Sequence, residues 1–381
     1  MKTRLLILIF ILISLQLWAS PLVDGSDTLQ QNNHAEIGKK LIQHIQPYGS
    51  YRIYFGVNDD GYVGMADNSS RFGIISQLPI YNNLQALAGI ELGARLVTQD
   101  ETIIFRGDPG NQVGEANNTL FGRLGFVGFK YKFLSLTVGK QWSAYYDVAA
   151  YTDELLAFGG EGSATFNNYT DGGVTGTGRA NQLFLLRVGN ERLKAALQFQ
   201  SRSISDSSQR IADTYGGSIQ YLTKSGLKAG FAFVVTNDGV MSPNPQQPKY
   251  NDKSYVGSLA YISDKWYLAA LFSKFEQHET VKINDTTTFF YDGAGAEIYL
   301  AYSFGSINQW KSAMAMNMLW PEKGQGINQY RMLYFVAELS YTYFEASQVF
   351  ITVKQDFPRN IFGGAHNETI IAMGLRISFG Y

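Results

Sequence analysis

The chain has 381 residues, with 31 Lys and Arg against 32 Asp and Glu, and it contains no cysteine. A net charge of −1 does not favour a nucleic-acid partner, and the lack of cysteine excludes a disulfide framework. Gly (39), Tyr (24) and Phe (25) are abundant whereas Pro (9) is scarce, which suits a sheet with one apolar and one polar face.

The first 20 residues have the order of a cleavable signal peptide. Lys2 and Arg4 precede an apolar run from Leu5 to Leu17, and two small residues follow Trp18. This run is shorter than the about 20 residues that a membrane-spanning helix needs. We therefore predict that residues 1–20 are removed on export.

Residues 21–47 differ from everything that follows them. The stretch from Ser26 to Asn33 is mostly polar, whereas Ile37, Leu41 and Ile45 are spaced four apart on one helical face. The pattern predicts a periplasmic segment with a short amphipathic helix. A disordered leader is an equally good interpretation.

From residue 48 to the end, apolar residues recur at every second position. Between Leu84 and Leu96, for example, Leu, Ala and Ile share one face, and Gln, Gly, Glu and Arg occupy the other together with Leu87. Side chains of a strand alternate between faces, so one surface of this sheet is apolar and one is polar. After the signal, no stretch reaches 18 consecutive apolar residues, which argues against a helical membrane protein.

The connections between these strands alternate in length. Seven are tight turns, and the intervening long polar loops are 58–70, 97–119, 142–179, 202–213, 236–253, 276–293, 321–329 and 356–367. Short turns on one rim and long loops on the other are typical of an outer-membrane barrel. Residues 48–381 are thus predicted to form an all-β, transmembrane antiparallel β-barrel of about 16 strands.

A soluble protein of several sheets is the alternative fold. It would expose many strand edges or bury both faces of its sheets, and the polar residues at alternate positions fit neither arrangement. A closed barrel has no edges and pairs every backbone group, as a bilayer demands. The last strand, from Met373 to Tyr381, is amphipathic and ends on an aromatic residue. This ending resembles the signal that outer-membrane proteins present to the barrel assembly machinery.

Two stretches carry a resemblance to a known family. The first runs from Arg123 through Val138-Gly139-Lys140 to Tyr146-Asp147, and the second joins Tyr151-Thr152-Asp153 to Phe158-Gly159-Gly160-Glu161 and then Arg179. With Ser70-Arg71-Phe72-Gly73 upstream, these motifs resemble the general, non-specific porins of Gram-negative bacteria. The resemblance implies a 16-stranded barrel in the outer membrane, narrowed by a third loop that folds inward.

The resemblance also implies where the pore is narrowest. Acidic residues of the third loop would face a cluster of arginines on the wall and create a transverse field. The implied constriction consists of Arg52, Arg71, Arg123, Arg179, Tyr146, Asp147, Asp153, Glu154, Phe158 and Glu161. On β-strand alternation, Leu120, Leu124 and Phe126 would lie opposite Arg123 and Gly125, which places Arg123 in the lumen. Solvated lumen charges with local salt bridges remain the alternative interpretation.

The sequence departs from the family pattern at two positions. Ala157 stands where the family often has a second loop acid, and Ser50 stands where a basic residue is often found. Arg52 lies two residues further on the same face. The second long loop resembles in position the family's latch onto a neighbouring subunit, and its acids are candidates to meet Lys140 of the partner subunit.

The expected function is passive diffusion of ions and small hydrophilic solutes through a water-filled channel. A channel specific for a sugar or an anion is the nearest alternative, and an anchor or adhesin with a blocked lumen is another. Only four His residues occur, with no nucleophile motif or metal-ligand spacing around them, so we expect no enzyme activity, catalytic residue, cofactor or metal. Expected partners are two further copies in a homotrimer, outer-membrane lipid, lipopolysaccharide, the assembly machinery and small solutes, with no nucleic acid.

Overall fold

The computed structural model describes residues 43–61, 63–97, 119–166, 171–201, 213–236, 240–241, 249–250, 252–284, 287–323, 327, 330–344, 347–359 and 367–380. The predicted signal peptide, 1–20, and residues 21–42 of the periplasmic segment lie outside these ranges. No helix within them has both the length and the hydropathy needed to cross a bilayer.

The described residues form strands and one short helix. The strands are β1 Ile45–Asn58, β2 Val63–Asp67, β3 Ser70–Tyr81, β4 Leu84–Ala94, β5 Leu120–Tyr131, β6 Leu134–Trp142, β7 Arg179–Gly189, β8 Leu193–Gln200, β9 Thr214–Leu222, β10 Leu227–Thr236, β11 Val240–Met241, β12 Lys249–Tyr250, β13 Lys253–Ile262, β14 Trp266–Asn284, β15 Thr287–Phe304, β16 Trp310–Pro321, β17 Met332–Phe344, β18 Ser347–Asp356 and β19 Thr369–Phe379. The helix, α1, is Tyr146–Ala149. Strands β11 and β12 pair only with each other, and all the others join one sheet.

The large sheet closes because its first and last strands pair. Strand β1 is antiparallel to β19 from Gly49, opposite Phe379, to Asn58, opposite Ile370. Strands β2 and β3 both pair with β1 and are two parts of one strand, interrupted at Asn68 and Ser69. The result is a closed antiparallel barrel of 16 strands, which confirms the predicted fold class.

Apolar and small or polar side chains alternate along the wall, as predicted. In β10, Phe231 is 48% exposed whereas Ala232 beside it is fully buried. In β19, Met373 is 58% exposed and Ile370 is fully buried. The exposed apolar residues face outward, where a barrel meets hydrocarbon, and their neighbours face the interior.

Two segments adopt strand where the sequence predicts other structure. The predicted loop 276–293 is mostly an extension of β14 and β15, with a register shift between Phe275 and Glu279. Gln277 adopts a left-handed φ of +48° there, and the Asp292 carboxylate accepts its backbone N–H at 2.9 Å. Apolar alternation fails in this hairpin because it extends beyond the apolar band of the wall, and so the sequence pattern resembles a loop. Ile45, predicted to lie on a helical face, is the first residue of β1.

The third loop lies inside the barrel. The residues between β6 and β7 include α1, and two apolar clusters form where this segment meets the wall. In one cluster Tyr151 packs against Tyr299, Tyr334 and small residues of β13 to β16; in the other, Tyr145 and Val148 pack against Val234, Val256 and Leu271. These wall residues are the inward-facing members of their strands, so the third loop folds into the lumen as predicted.

Candidate functional site

The third loop is held against the wall at one end by the carboxylate of Glu297. This residue of β15 accepts a hydrogen bond from the backbone N–H of Ser163 at 2.7 Å and another from the hydroxyl of Thr152. The neighbouring Ser273 hydroxyl donates to the carbonyl of Gly162 at 2.7 Å. One buried wall carboxylate thus joins two loop positions that are 11 residues apart in the chain.

The tip of the third loop is held by residues of the adjacent strands. Glu338 of β17 accepts the backbone N–H of Leu156 at 3.0 Å, and the Tyr334 hydroxyl donates to the carbonyl of Gly159 at 2.6 Å. These bonds satisfy backbone groups that would otherwise be buried without partners. The loop therefore occupies a fixed position across the lumen and does not lie free within it.

Three arginines cluster on the opposite wall, and all three were predicted from the sequence. Arg71 is on β3, Arg123 is on β5, and Arg179 begins β7. Arg123 is close enough to interact electrostatically with Arg71, and Arg179 is close enough to interact with both. The structure thus brings the three predicted arginines together, and their part in a constriction stays a prediction.

Within this cluster Arg123 has a partner that the sequence analysis missed. Its Nε donates to Oε1 of Glu91 on β4 at 2.6 Å, and both side chains are almost completely buried. The second carboxylate oxygen of Glu91 accepts the hydroxyl of Tyr48 at 3.0 Å. The charge of Arg123 is thus compensated on the wall itself, and no loop acid contacts it directly.

The predicted faces of β5 are partly wrong. Phe126 was expected opposite Arg123, but Phe126 pairs with Gly89 and its ring covers that glycine on the inner face. Val127 is exposed and faces outward. Glu91 pairs with Leu124 and Leu92 pairs with Gly122, so Arg123 is an extra, unpaired residue of β5. This β-bulge interrupts the alternation of inward and outward side chains, and it lets Arg123 face the lumen.

The loop presents Asp153 to the arginine cluster through an aromatic pair. The Tyr146 hydroxyl donates to Asp153 at 2.6 Å, and its ring stacks on Trp142 with centroids 3.9 Å apart. The guanidinium of Arg179 lies 5.3 Å from the centroid of the Trp142 ring. Tyr146 is also close enough to interact electrostatically with Arg71 and Arg179, so Asp153 is linked to the arginine side of the lumen through Tyr146.

Glu154 is turned toward the other side of the lumen. Its carboxylate interacts electrostatically with Lys311 on β16, Lys228 on β10 and Arg376 on β19. Its side chain is exposed, yet desolvation by the surrounding atoms raises the pKa of Glu154 above its ordinary value; Asp153 adds to the rise and Lys311 opposes it. Glu154 is thus an acid inside the barrel that remains in contact with water.

The other predicted residues are occupied elsewhere on the wall. Asp147 accepts two hydrogen bonds from Arg187, at 2.9 and 3.0 Å, and Phe158 packs edge-on against Tyr54. Arg52 donates to the hydroxyl of Ser50 at 2.7 Å. Glu161 is held through its backbone N–H, which donates to Asn317 at 3.0 Å. Asp147 thus contacts β7, Phe158 contacts β1 and Glu161 contacts β16, whereas Arg52 bonds within β1.

The suggested latch to a neighbouring subunit is not described, because residues 98–118 lie outside the described ranges. Lys140, the expected contact, bonds within its own chain, with its Nζ 2.5 Å from Oδ2 of Asp171. Asp171 also lies 3.8 Å from Arg179. Lys140 is therefore part of the charged network behind the arginine cluster.

Sequence reasoning missed six residues that shape this site: Glu91, Glu297, Glu338, Lys228, Lys311 and Arg376. Each lies at an inward-facing position of its strand. The next inward-facing residues of the same strand are small or uncharged. An ionisable residue at such a position is the sequence signal that could have identified them, because charge on the outward face is costly in lipid.

Comparison with known proteins agrees with the geometry. A family model described as Gram-negative porin matches residues 29–317. The "Outer membrane porin C" of Rahnella aquatilis is 30% identical over 239 residues, which are 58% of this chain and 64% of that protein. The chain thus spans less than two thirds of that relative's length.

Solved structures support the same fold. The Salmonella typhi OmpF complex with daunomycin matches with a TM-score of 0.68 and 18% identity, covering 87% of this chain and 97% of that one. The trimer form of OmpT from Vibrio cholerae matches with a TM-score of 0.61 and 11% identity, covering 88% and 99% of the respective chains. With its 16-stranded barrel, its inward third loop and the matching family model, this chain belongs to the Gram-negative porin family and to the outer membrane.

Proposed function

We propose that the chain forms a water-filled channel for passive diffusion of ions and small hydrophilic solutes, constricted by its third loop. The observation that carries this proposal is the third loop inside the barrel, where Tyr146 bonds Asp153 and lies close to Arg71 and Arg179 of the wall. The Nε atoms of both arginines are buried and have no hydrogen-bond partner among the described residues. Charged groups facing each other across a gap orient dipolar solutes and separate the paths of cations and anions.

Liposome swelling tests this function. We expect refolded protein to admit neutral sugars at rates that fall smoothly with solute size and do not saturate with concentration. Saturable uptake of one sugar, with competition from its analogues, would favour a specific channel. Absence of swelling with protein that shows heat-modifiable gel migration would overturn the proposal in favour of a blocked barrel.

The sugar-specific alternative receives no support from four tyrosines of the lumen. Tyr151, Tyr299, Tyr291 and Tyr334 are buried beneath or beside the third loop. Among the described residues they form packing contacts with the loop and the wall, whereas a sugar path needs exposed rings. Nor do the relatives favour an outer-membrane enzyme, because the family that matches is one of porins.

We further propose that the channel is a homotrimer with outer-membrane lipid and lipopolysaccharide around it. The support is the similarity to OmpT of Vibrio cholerae, whose structure is a trimer form. Chemical cross-linking in mild detergent should give a three-copy species that heating dissociates. A single-copy species under conditions that keep the barrel folded would contradict the trimer.

We also propose that the first residues of the chain direct its export and that its last strand directs its assembly. Residues 1–20 would be removed as a signal peptide, with 21–47 following as a periplasmic segment, although β1 already begins at Ile45. At the other end Phe379 is 52% exposed on the outward face of β19, where the assembly machinery could bind it. Mass spectrometry of the mature protein tests the first point, and Phe379→Ala, with loss of assembly, tests the second.

A further inference from the structure

The inner ends of the strands carry basic residues and no acids. The inner rim is the one with short turns, since the short turns of such barrels face the periplasm. Over the five residues nearest that rim, the 16 strands contain no Asp or Glu. The same positions contain six basic residues, which we call the inner basic ring: Lys130, Arg187, Lys194, Lys228, Lys311 and Arg376.

Members of this ring face the lumen. Lys228 lies 3.7 Å from the centroid of the Tyr151 ring in the third loop, and Lys311 Nζ is 3.5 Å from the carbonyl of Glu154. Lys194 shares its face with Ala196, which packs under the loop, and it interacts electrostatically with Lys228. The ring therefore lines the vestibule on the periplasmic side of the third loop.

Little negative charge opposes the ring. Lys130, Lys194, Lys228 and Lys311 form no salt bridge with any described residue, and Arg187 pairs with Asp147 of the loop. Two further acids reach the ring: Glu154 of the loop interacts with Lys311, Lys228 and Arg376, and Glu338 of the wall interacts with Lys311. Six cations thus face two loop carboxylates and one wall carboxylate from the described part of the chain.

The outer part of the lumen is arranged differently. There Lys253 bonds Glu276 at 2.7 Å and Lys354 bonds Asp356 at 2.7 Å, whereas Arg331 and Arg359 form no salt bridge with a described residue. The buried imidazole of His278 likewise contacts Asp252 at 2.8 Å. The inner basic ring differs in that four of its six members, Lys130, Lys194, Lys228 and Lys311, form no salt bridge with a described residue.

We propose that the inner basic ring concentrates small anions in the periplasmic vestibule, makes the channel prefer anions, and binds multivalent anions between Lys228, Lys311 and Arg376. Fixed charge lining a narrow aqueous space attracts counter-ions over about 8–10 Å at physiological salt. The preference is accordingly strongest at low ionic strength. This inference rests on the proposed diffusion channel and names the solute class that its inner mouth favours.

Reversal potentials in a salt gradient test the proposal. We expect wild-type channels in a tenfold KCl gradient to prefer chloride, and the triple variant Lys194→Gln/Lys228→Gln/Lys311→Gln to lose that preference. The matched control is Lys132→Gln/Lys224→Gln/Lys265→Gln, which removes three exposed lysines from the rim turns and should leave the potential nearly unchanged. Equal reversal potentials for wild type and triple variant would overturn the ring's role.

A cysteine variant keeps the test decisive if the triple variant fails to fold. The chain has no cysteine, so Lys228→Cys gives one reactive site. A cationic thiol reagent should restore anion preference, and an anionic reagent should shift the same channel toward cations. If mass spectrometry shows complete modification and neither reagent moves the potential, the proposal is wrong.

Citrate tests the binding of multivalent anions. We expect citrate added on the short-turn side to block wild-type current and to lose this effect in the triple variant. The side is identified by an impermeant thiol reagent on Lys228→Cys. Equal block of both proteins would contradict binding at the ring. Complete absence of conductance from folded wild type would instead contradict the channel itself, so the two failures are distinguishable.

Discussion

Arg123 and Glu91 form an almost completely buried ion pair, with Nε 2.6 Å from Oε1, in the wall opposite the third loop. The two residues lie on adjacent strands, and Tyr48 from β1 completes the carboxylate's hydrogen bonding. The pair places two opposite charges in the wall without contributing a net charge. Its two members therefore have separable effects on selectivity.

The first prediction separates these effects. In Arg123→Ala the Glu91 carboxylate keeps its hydrogen bond from Tyr48 but loses the positive charge that compensates it. The substitution should therefore shift the reversal potential toward cation selectivity. Breaking such a buried pair should also cost about 3–5 kcal/mol of stability. In Arg123→Ala/Glu91→Ala the net charge of the wall is unchanged, so most of the shift should disappear. If Arg123→Ala and wild type have the same reversal potential, Arg123 does not contribute to ion selectivity.

A second prediction concerns the close approach of the loop to the wall. A Cβ on Gly162 would lie 2.5 Å from the backbone oxygen of Ala296, which cannot move aside. Gly162→Val should therefore displace the loop from β15 and increase the size and the fluctuation of single-channel conductance.

The control for that variant is Gly257→Val. A Cβ at Gly257 of β13 has no atom within 4 Å, so the substitution adds the same atoms on a strand without a clash. It should behave as wild type. Identical recordings from both valine variants would show that the contact at Gly162 does not position the loop.

The third prediction is a pH dependence due to Glu154. Its pKa is raised, so on acidification it becomes neutral at a higher pH than an ordinary exposed glutamate. Loss of this charge leaves the inner basic ring less opposed, and anion preference should rise as the pH falls through that range. Glu154→Gln should show the higher preference at neutral pH and little change on acidification. A Glu154→Gln titration that matches wild type would refute the assignment.

The sequence predicts the barrel well because the bilayer imposes one rule on every strand. Apolar residues alternate with small or polar ones along β10 and β19 because one face of each strand meets lipid and the other meets water or small residues. The rule ends where the strands leave the apolar band. The hairpin around Gln277 therefore resembled a loop, although Asp292 and the register shift maintain strand pairing beyond the bulge.

The constriction was predictable only in part. The motifs predicted Arg71, Arg123, Arg179 and Asp153 as members of one site, and the structure brings the three arginines together. The pairing of Arg123 with Glu91 depends on a one-residue bulge between two strands, and local spacing does not reveal such a shift. The inner basic ring, by contrast, can be identified from the sequence once the short turns are located, because its members lie within five residues of those turns.

Single-channel conductance of a third-loop deletion tests the central claim most directly. Residues 156–162 cross the lumen and are held by Glu338, Tyr334 and Asn317, so their removal should widen a water-filled path. We predict a larger conductance per channel for the deletion than for wild type, in protein whose gel migration remains heat-modifiable. An unchanged conductance would mean that the loop does not constrict the pore, and it would contradict a lumen narrowed between the third loop and the arginine-bearing wall.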